Sequence, residues 1–184
     1  MRFRIDRILL IGIITLFVAA CGKDPSGDIA FKRGEVPDEV FEDFVTQETD
    51  SGRAKWKLTA PLANRYNAKN LVLMDKPKIE FYGDGGELQT TLTSDKGEYY
   101  ENTRDMLAYG NVVVVSIDGD VLETDSLLWV NARDKIISNC FVKLTRGKDV
   151  ITGIGLECDH DLSSVDIKEN VKATIIEEEE SQDE

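Results

Sequence analysis

Positive charge is scarce in this chain, and so are the side chains that most enzymes use. Its 184 residues include one histidine and 22 lysines and arginines against 35 aspartates and glutamates, for a formal net charge of −13. A surface of that sign repels phosphate backbones, which argues against nucleic acid as a partner. Three cysteines are too few for a disulfide scaffold, so the chain must fold by packing. A long hydrophobic run is also missing: Ile8 to Ala20 is apolar but interrupted by Gly12 and Thr15. A membrane-spanning helix needs roughly 20 apolar residues to cross about 30 Å of hydrocarbon. No glycine loop of ATP-site spacing is present, so energy for any directed work must come from a partner.

What the short run does fit is an export leader. Arg2, Arg4 and Arg7 precede it, and Val18-Ala19-Ala20-Cys21 closes it as a small-residue lipobox. The cations hold the chain start at the anionic leaflet, and the small residues expose the backbone before Cys21 to a peptidase. Residues 1–21 are therefore predicted to be a lipoprotein signal with Cys21 as the acylated anchor, in preference to an uncleaved span or ordinary secretion. Removing residues 1–20 leaves 19 basic and 34 acidic residues, a formal charge of −15. Residues 22–40 carry Pro25, Gly27 and Pro37 without apolar periodicity and read as a flexible tether. Residues 177–184 hold six acids and read as a solvated, disordered tail. Gly22, following Cys21, leaves the choice of membrane open.

Residues 41–176 are predicted to be one all-β domain. Val112 to Val115, Ile136-Ile137, Phe141-Val142 and Val150 to Thr152 are β-branched or aromatic runs, separated by turn signals at Asp84-Gly85-Gly86, Asp118-Gly119 and Arg146 to Asp149. Asp118-Gly119 reads as a two-residue hairpin turn with positive φ at both positions. The runs also repeat. Leu92 to Tyr99 recurs as Leu122 to Trp129 and again as Ile151 to Cys158, with a fainter copy from Leu58. Each copy precedes a return strand, and Asn111, Asn139 and Asn170 are predicted to introduce three of them. A period near thirty means that each two-strand unit must stack on its neighbours to bury its apolar face.

These residues resemble the LptC family of lipopolysaccharide-export proteins and the wider OstA-like group. The most specific stretch is Leu92-Thr-Ser-Asp-Lys-Gly-Glu-Tyr99 followed by Arg104-Asp-Met-Leu-Ala-Tyr-Gly-Asn-Val-Val-Val114, supported by Thr124-Asp125-Ser126 and Thr152-Gly153. The resemblance implies an open, V-shaped antiparallel β-jelly roll whose apolar groove receives the acyl chains of lipopolysaccharide. It also implies a periplasmic location at the inner membrane and head-to-tail docking. A lipopolysaccharide ABC transporter complex would meet the N-terminal edge, and a periplasmic LptA-like bridge protein the C-terminal edge. The lipobox departs from the transmembrane helix of the best-known members, and the acidic tail bears on the C-terminal contact.

Strand alternation assigns an inner face independently of that resemblance. Glu123 and Asp125 belong outside, so Leu122 and Thr124 point inward. With a one-residue bulge after Thr124, the same phase places Leu92, Gly97, Tyr99, Leu127, Trp129, Ile151, Leu156 and Cys158 inside. The return strands add Ile79, Phe81, Val112, Val114, Val142, Val171, Ala173 and Ile175. Both a lipid groove and a closed sandwich core want this alternation. Val165, Ile167, Val171, Ala173 and Ile175 lie on the last strand, which is predicted to be an unpaired docking edge because the acidic tail cannot pack as a further strand.

Chemical constellations are thin. Asp159-His160-Asp161 alternates in direction and finds no second ligand cluster, so it reads as a solvated hairpin tip and no metal or other cofactor is expected. Cys158 and His160 lack a third orienting group, and no catalytic carboxylate pair is identifiable. Cys140 lies several residues along its strand from the position opposite Cys158, beyond the roughly 7 Å a bridge allows, which favours two buried thiols. Two function classes follow: a non-enzymatic lipid conduit, or a structural lipoprotein of the same fold that bridges envelope partners by its edges alone.

Overall fold

The structure, a computed structural model, describes residues 35–175. The lipobox with Cys21, most of the predicted tether and the acidic tail lie outside the described residues. The described part is almost entirely strand: β1 (Glu39–Asp50), β2 (Arg53–Tyr66), β3 (Leu71–Asp75), β4 (Lys78–Tyr82), β5 (Leu88–Thr93), β6 (Lys96–Tyr100), β7 (Asp105–Ser116), β8 (Val121–Val130), β9 (Lys135–Arg146), β10 (Asp149–Asp159) and β11 (Val165–Thr174). The helical pieces are two single 3₁₀ turns, Asn67–Lys69 and Asn131–Arg133. Every pairing is antiparallel. The all-β class expected from the alternating runs, and the antiparallel jelly roll that the family resemblance implies, are what the chain forms.

The strands make one sheet folded along a line, so that two walls face each other. β2 pairs β4 through residues 56–59 and β3 through residues 62–66. β7 pairs β5 through residues 113–116 and β6 through residues 105–109. β3 with β4, and β5 with β6, are thus each one course of chain interrupted at the fold line, while β7 to β10 run through it with a register shift. The first wall holds β4, β5 and the matching halves of the long strands. The second holds β3, β6 and the other halves.

Crossing the fold line demands an unusual backbone, and the residues there supply it. Positive φ occurs at Asp43, Lys76, Gly110, Asn111, Gly155 and Asn170, one bend in each of five courses. Asn and Asp tolerate this region because their short polar side chains bond locally, and glycine enters it without a Cβ clash. The line is sewn by Asp95, whose backbone N–H donates to the Gly110 carbonyl at 2.8 Å and whose carboxylate accepts from the Asn111 side chain at 2.6 Å. Thr124 Oγ1 donates to the Phe141 carbonyl at 2.7 Å one course further on.

Two sequence expectations are corrected here. Asn111, Asn139 and Asn170 do not introduce strands; they sit inside β7, β9 and β11 at the fold line, and those strands begin earlier at Asp105, Lys135 and Val165, thirty residues apart. A polar residue that usually marks a turn here marks a bend within a strand. The Asp118-Gly119 hairpin also differs. Gly119 N–H donates to the Ser116 carbonyl at 3.0 Å, Ser116 N–H donates to the Asp120 carbonyl at 2.9 Å, and only Gly119 takes positive φ. That is a three-residue loop ending in a left-handed glycine, the alternative hairpin geometry to a two-residue turn. Strand β1, with its two-residue turn at Ser51-Gly52, was not legible as a strand. It begins at Glu39, and the Asp38 N–H already donates to the Arg65 carbonyl at 2.9 Å.

The fold line is the feature most exposed to substitution. Gly155 has φ of +74°, and a Cβ there would stand 3.2 Å from the Lys168 side chain. Gly155→Ala is expected to cost about 1–2 kcal/mol through left-handed backbone strain. The check is a lower urea midpoint with an unchanged slope.

Candidate functional site

The inward set read from the sequence lies together between the two walls. Ile79, Phe81, Leu92, Val112, Val114, Leu122, Leu127, Trp129, Val142 and Leu156 are each at most 4% exposed, with Tyr99 and Ile151 partly buried against them. The phase changes after Thr124: Leu122 and Thr124 are buried, Asp125 is exposed, and Leu127 and Trp129 are buried again. At the bulge two residues oppose one, which flips the alternation and keeps both halves of β8 facing inward. The interior is filled by these side chains packing on one another.

The walls part only at their tips, where a mouth of about 470 Å³ opens. Lys55, Trp56, Phe81 and the β4–β5 turn line it from the first wall; Trp129, Asn131, Asp134, His160 and Asp161 line it from the second. Its floor is aromatic. Trp129 meets Trp56 at 5.8 Å and Phe81 at 5.4 Å between ring centroids, both edge to face. Tyr99 meets Trp56 in the same manner at 5.9 Å. Such pairs each add about 0.5–1.5 kcal/mol beyond area burial and hold the walls in one register. The Trp129 indole N–H is buried without a hydrogen-bond acceptor among the described residues.

Polar contacts cross the mouth at both ends. At one end Glu48, on an inward position of β1, accepts from Trp56 Nε1 at 3.2 Å and from Arg104 Nη1 of the opposite wall at 3.0 Å. At the other end Arg146, at the tip of β9, donates from Nη2 to the Leu162 carbonyl in the β10–β11 turn and ion-pairs with Asp120 at 2.7 Å. Leu162 is 1% exposed although its φ is +61°. A leucine in that region costs roughly 1–3 kcal/mol, offset here by burial of its side chain. Neither pair was found from sequence, because alternation reports which face a residue occupies and not what stands across the interior.

His160 corrects another expectation. It sits on the β10–β11 hairpin tip as predicted, but its side chain is only 25% exposed, its ring stacks at 5.6 Å on Phe81 of the opposite wall, and Nδ1 lies 3.3 Å from Asp134. Its neighbours Asp159 and Asp161 make a turn and an ion pair to Lys135. Among the described residues no group of three or more His, Cys, Asp or Glu is placed to hold a metal ion. Cys140 and Cys158 are both buried and no bridge joins them, but only Cys158 is a free thiol; Cys140 is disulfide-bonded elsewhere, so the expectation of two buried thiols is corrected at Cys140. Cys158 pairs with Ile136, four positions from Cys140 along β9, which keeps the sulfurs apart.

Among the described residues the sheet ends in two strands that each pair on one side. β1 pairs with β2 and β11 with β10. On β11, Val165 and Ile167 pack against the core, whereas Val171, Ala173 and Ile175 are exposed. Ala173 lies opposite Ile151, so these exposed apolar residues continue the inner face to the rim. No helix among the described residues is long and apolar enough to cross a membrane.

The family model for lipopolysaccharide-assembly, LptC-related proteins matches residues 8–177. The chain belongs to the LptC family. A comparison with curated proteins finds no match. Among solved structures, the crystal structure of LptH, the LptA-homologous periplasmic component of the lipopolysaccharide transport device of Pseudomonas aeruginosa, is similar with a TM-score of 0.51. It covers 66% of this chain and 95% of that one at 10% identity, a likeness of fold. Membership in the LptC family makes this a lipopolysaccharide-transport protein, and its folded sheet with two ends is the element by which that role has to be explained.

Burial also sets how the fold responds to alkali. It pushes the Cys158 thiol up to about 12, and raises the Tyr99, Tyr100 and Tyr109 phenols, with Glu98 reinforcing the shift at Tyr100. A group held in its protonated form contributes stability that is complete below its unfolded value and lost as pH rises through the folded one. For Cys158 that window runs from 9 to about 12. Thermal midpoints are expected to fall with pH across it, and Cys158→Ala to make the fall shallower. A midpoint independent of pH there would contradict the assignment.

Proposed function

We propose that this protein is a non-enzymatic, periplasmic relay in lipopolysaccharide export, anchored at the inner membrane through acylated Cys21. In this reading it receives lipopolysaccharide from an inner-membrane ABC transporter complex and passes the acyl chains along its apolar interior to an LptA-like jelly-roll protein. The observation that carries the reading is the continuity between the apolar interior and two sheet ends with one free side each. A partner adding a strand to β1 or β11 would satisfy a row of backbone groups and extend both walls. Acyl chains need no charged clamp, since each buried CH₂ is worth roughly 0.8 kcal/mol.

A second reading, a structural protein of the same fold that bridges envelope partners without carrying lipid, is favoured by the near-complete burial of the inward side chains. One experiment separates the two. Leu127→Asp puts a carboxylate where acyl chains would lie, at a cost of several kcal/mol unless it is neutralised. The relay reading expects a variant of native secondary structure to lose photo-crosslinking to lipopolysaccharide with photoreactive acyl chains in membranes. Crosslinking at the wild-type level by the folded variant would exclude this wall, and absence of any crosslink in the wild type would favour the bridging reading.

Docking at the C-terminal edge has its own test. Val171 lies in β11 beside the bulge at Asn170, outside the paired positions with β10. Val171→Pro removes one edge N–H and fixes the backbone there, and is expected to weaken capture of an LptA-like partner more than it lowers the urea midpoint. Undiminished capture by the folded variant would place docking on another surface.

A further inference from the structure

An interior that carries acyl chains must be reached from outside, and below the mouth it is filled by packed side chains where they would pass. The turn between β10 and β11, residues 160–164, lies over it from the second wall. Three contacts hold that turn to the first wall or the core: the His160 ring on Phe81, the Leu162 side chain within the common core cluster, and the Leu162 carbonyl bonded to Arg146. Its own backbone bonds are internal, from Asp159 N–H to the Ser164 carbonyl at 3.1 Å and from Leu162 N–H to the Asp159 carbonyl at 3.0 Å. Outward rotation of the turn would therefore break no ladder pair.

Leu162 is the informative residue. It is the one leucine of the described chain with positive φ, and it is fully buried. A branched alkyl group held in a strained backbone conformation occupies apolar space in the core cluster, on the same turn as His160 and Asp161, which line the mouth. Replacing that group by a lipid alkyl chain conserves apolar burial and releases the strain, so the exchange is nearly balanced.

We infer that the β10–β11 turn is a lid on the mouth, with Leu162 as a plug that an incoming acyl chain displaces and Arg146 as its catch. This rests on the lipid-relay reading and adds where the lipid passes and what yields to it. The Glu48–Arg104 pair closes the opposite end of the mouth and does not touch the lid.

The two tryptophans of the chain, Trp56 and Trp129, both line the mouth, so intrinsic fluorescence reports on it directly. The full chain in nanodiscs of unlabelled phospholipid is mixed with dibromostearate, whose bromines quench indole on contact. Arg146→Gln removes the charged donor to the lid and is expected to raise the quenching rate about tenfold or more, the equivalent of one hydrogen bond to a charged group. Leu162→Gly removes the plug and suits the backbone conformation, and should quench at least as fast. Lys143→Gln, which breaks a pair with Glu123 within the first wall, should quench at the wild-type rate. Wild-type rates in both lid variants, with quenching intact, would overturn the lid while leaving the relay standing. Absence of quenching in every protein would overturn the relay reading and the lid with it.

Discussion

Nearly everything about this molecule depends on where its strands bend. Nine courses of chain each turn at one line, and the alignment of those bends makes a single meandering sheet fold into two facing walls. Were the bends staggered, each strand would carry half of its apolar residues to a wall with no partner opposite. The cost falls on a few residues in the left-handed region, and Asp43, Asn111, Gly155 and Asn170 are types that accept it. The gain is a shared apolar interior running the length of the sheet, with each end paired on one side only among the described residues.

The interior is held shut by weak and strong contacts in different places. Edge-to-face packing among Trp56, Phe81 and Trp129 secures the middle of the mouth, and burial makes it the stronger element. The ion pair of Glu48 with Arg104 is partly exposed, where such pairs contribute little. A structure closed mainly by alkyl and aromatic packing at its tips, with its bends fixed by hydrogen bonds, is suited to opening at the mouth while the fold line stays intact. That distribution is what a relay for an apolar cargo needs, since the cargo offers the same kind of contact that it displaces.

Much of the fold was legible in the residues. Period-two alternation identified the inward face of β8 through its bulge, because Glu123 and Asp125 could not both lie inside with their neighbours. The thirty-residue recurrence marked the two-strand unit. Most misreadings concerned local geometry: asparagines inside strands look like turn residues, and Asp-Gly serves two hairpin loops of different length; His160 was misread because its partner Phe81 stands on the opposite wall. β1 escaped notice because its residues alternate weakly, with Glu42, Glu48 and exposed valines on a strand that is covered on one side only.

The sequence by itself determined the all-β class, the inward and outward faces and the repeat, because side-chain period and apolar pattern are local properties of a strand, and its motifs carried the resemblance to the LptC family. Only the tertiary structure decided that the inward residues close on one another, that His160 stacks on Phe81, and that Arg146 and Leu162 meet across the mouth. Those contacts join residues on opposite walls, and their distance in space is set by how the whole sheet folds about its line of bends rather than by any spacing along the chain.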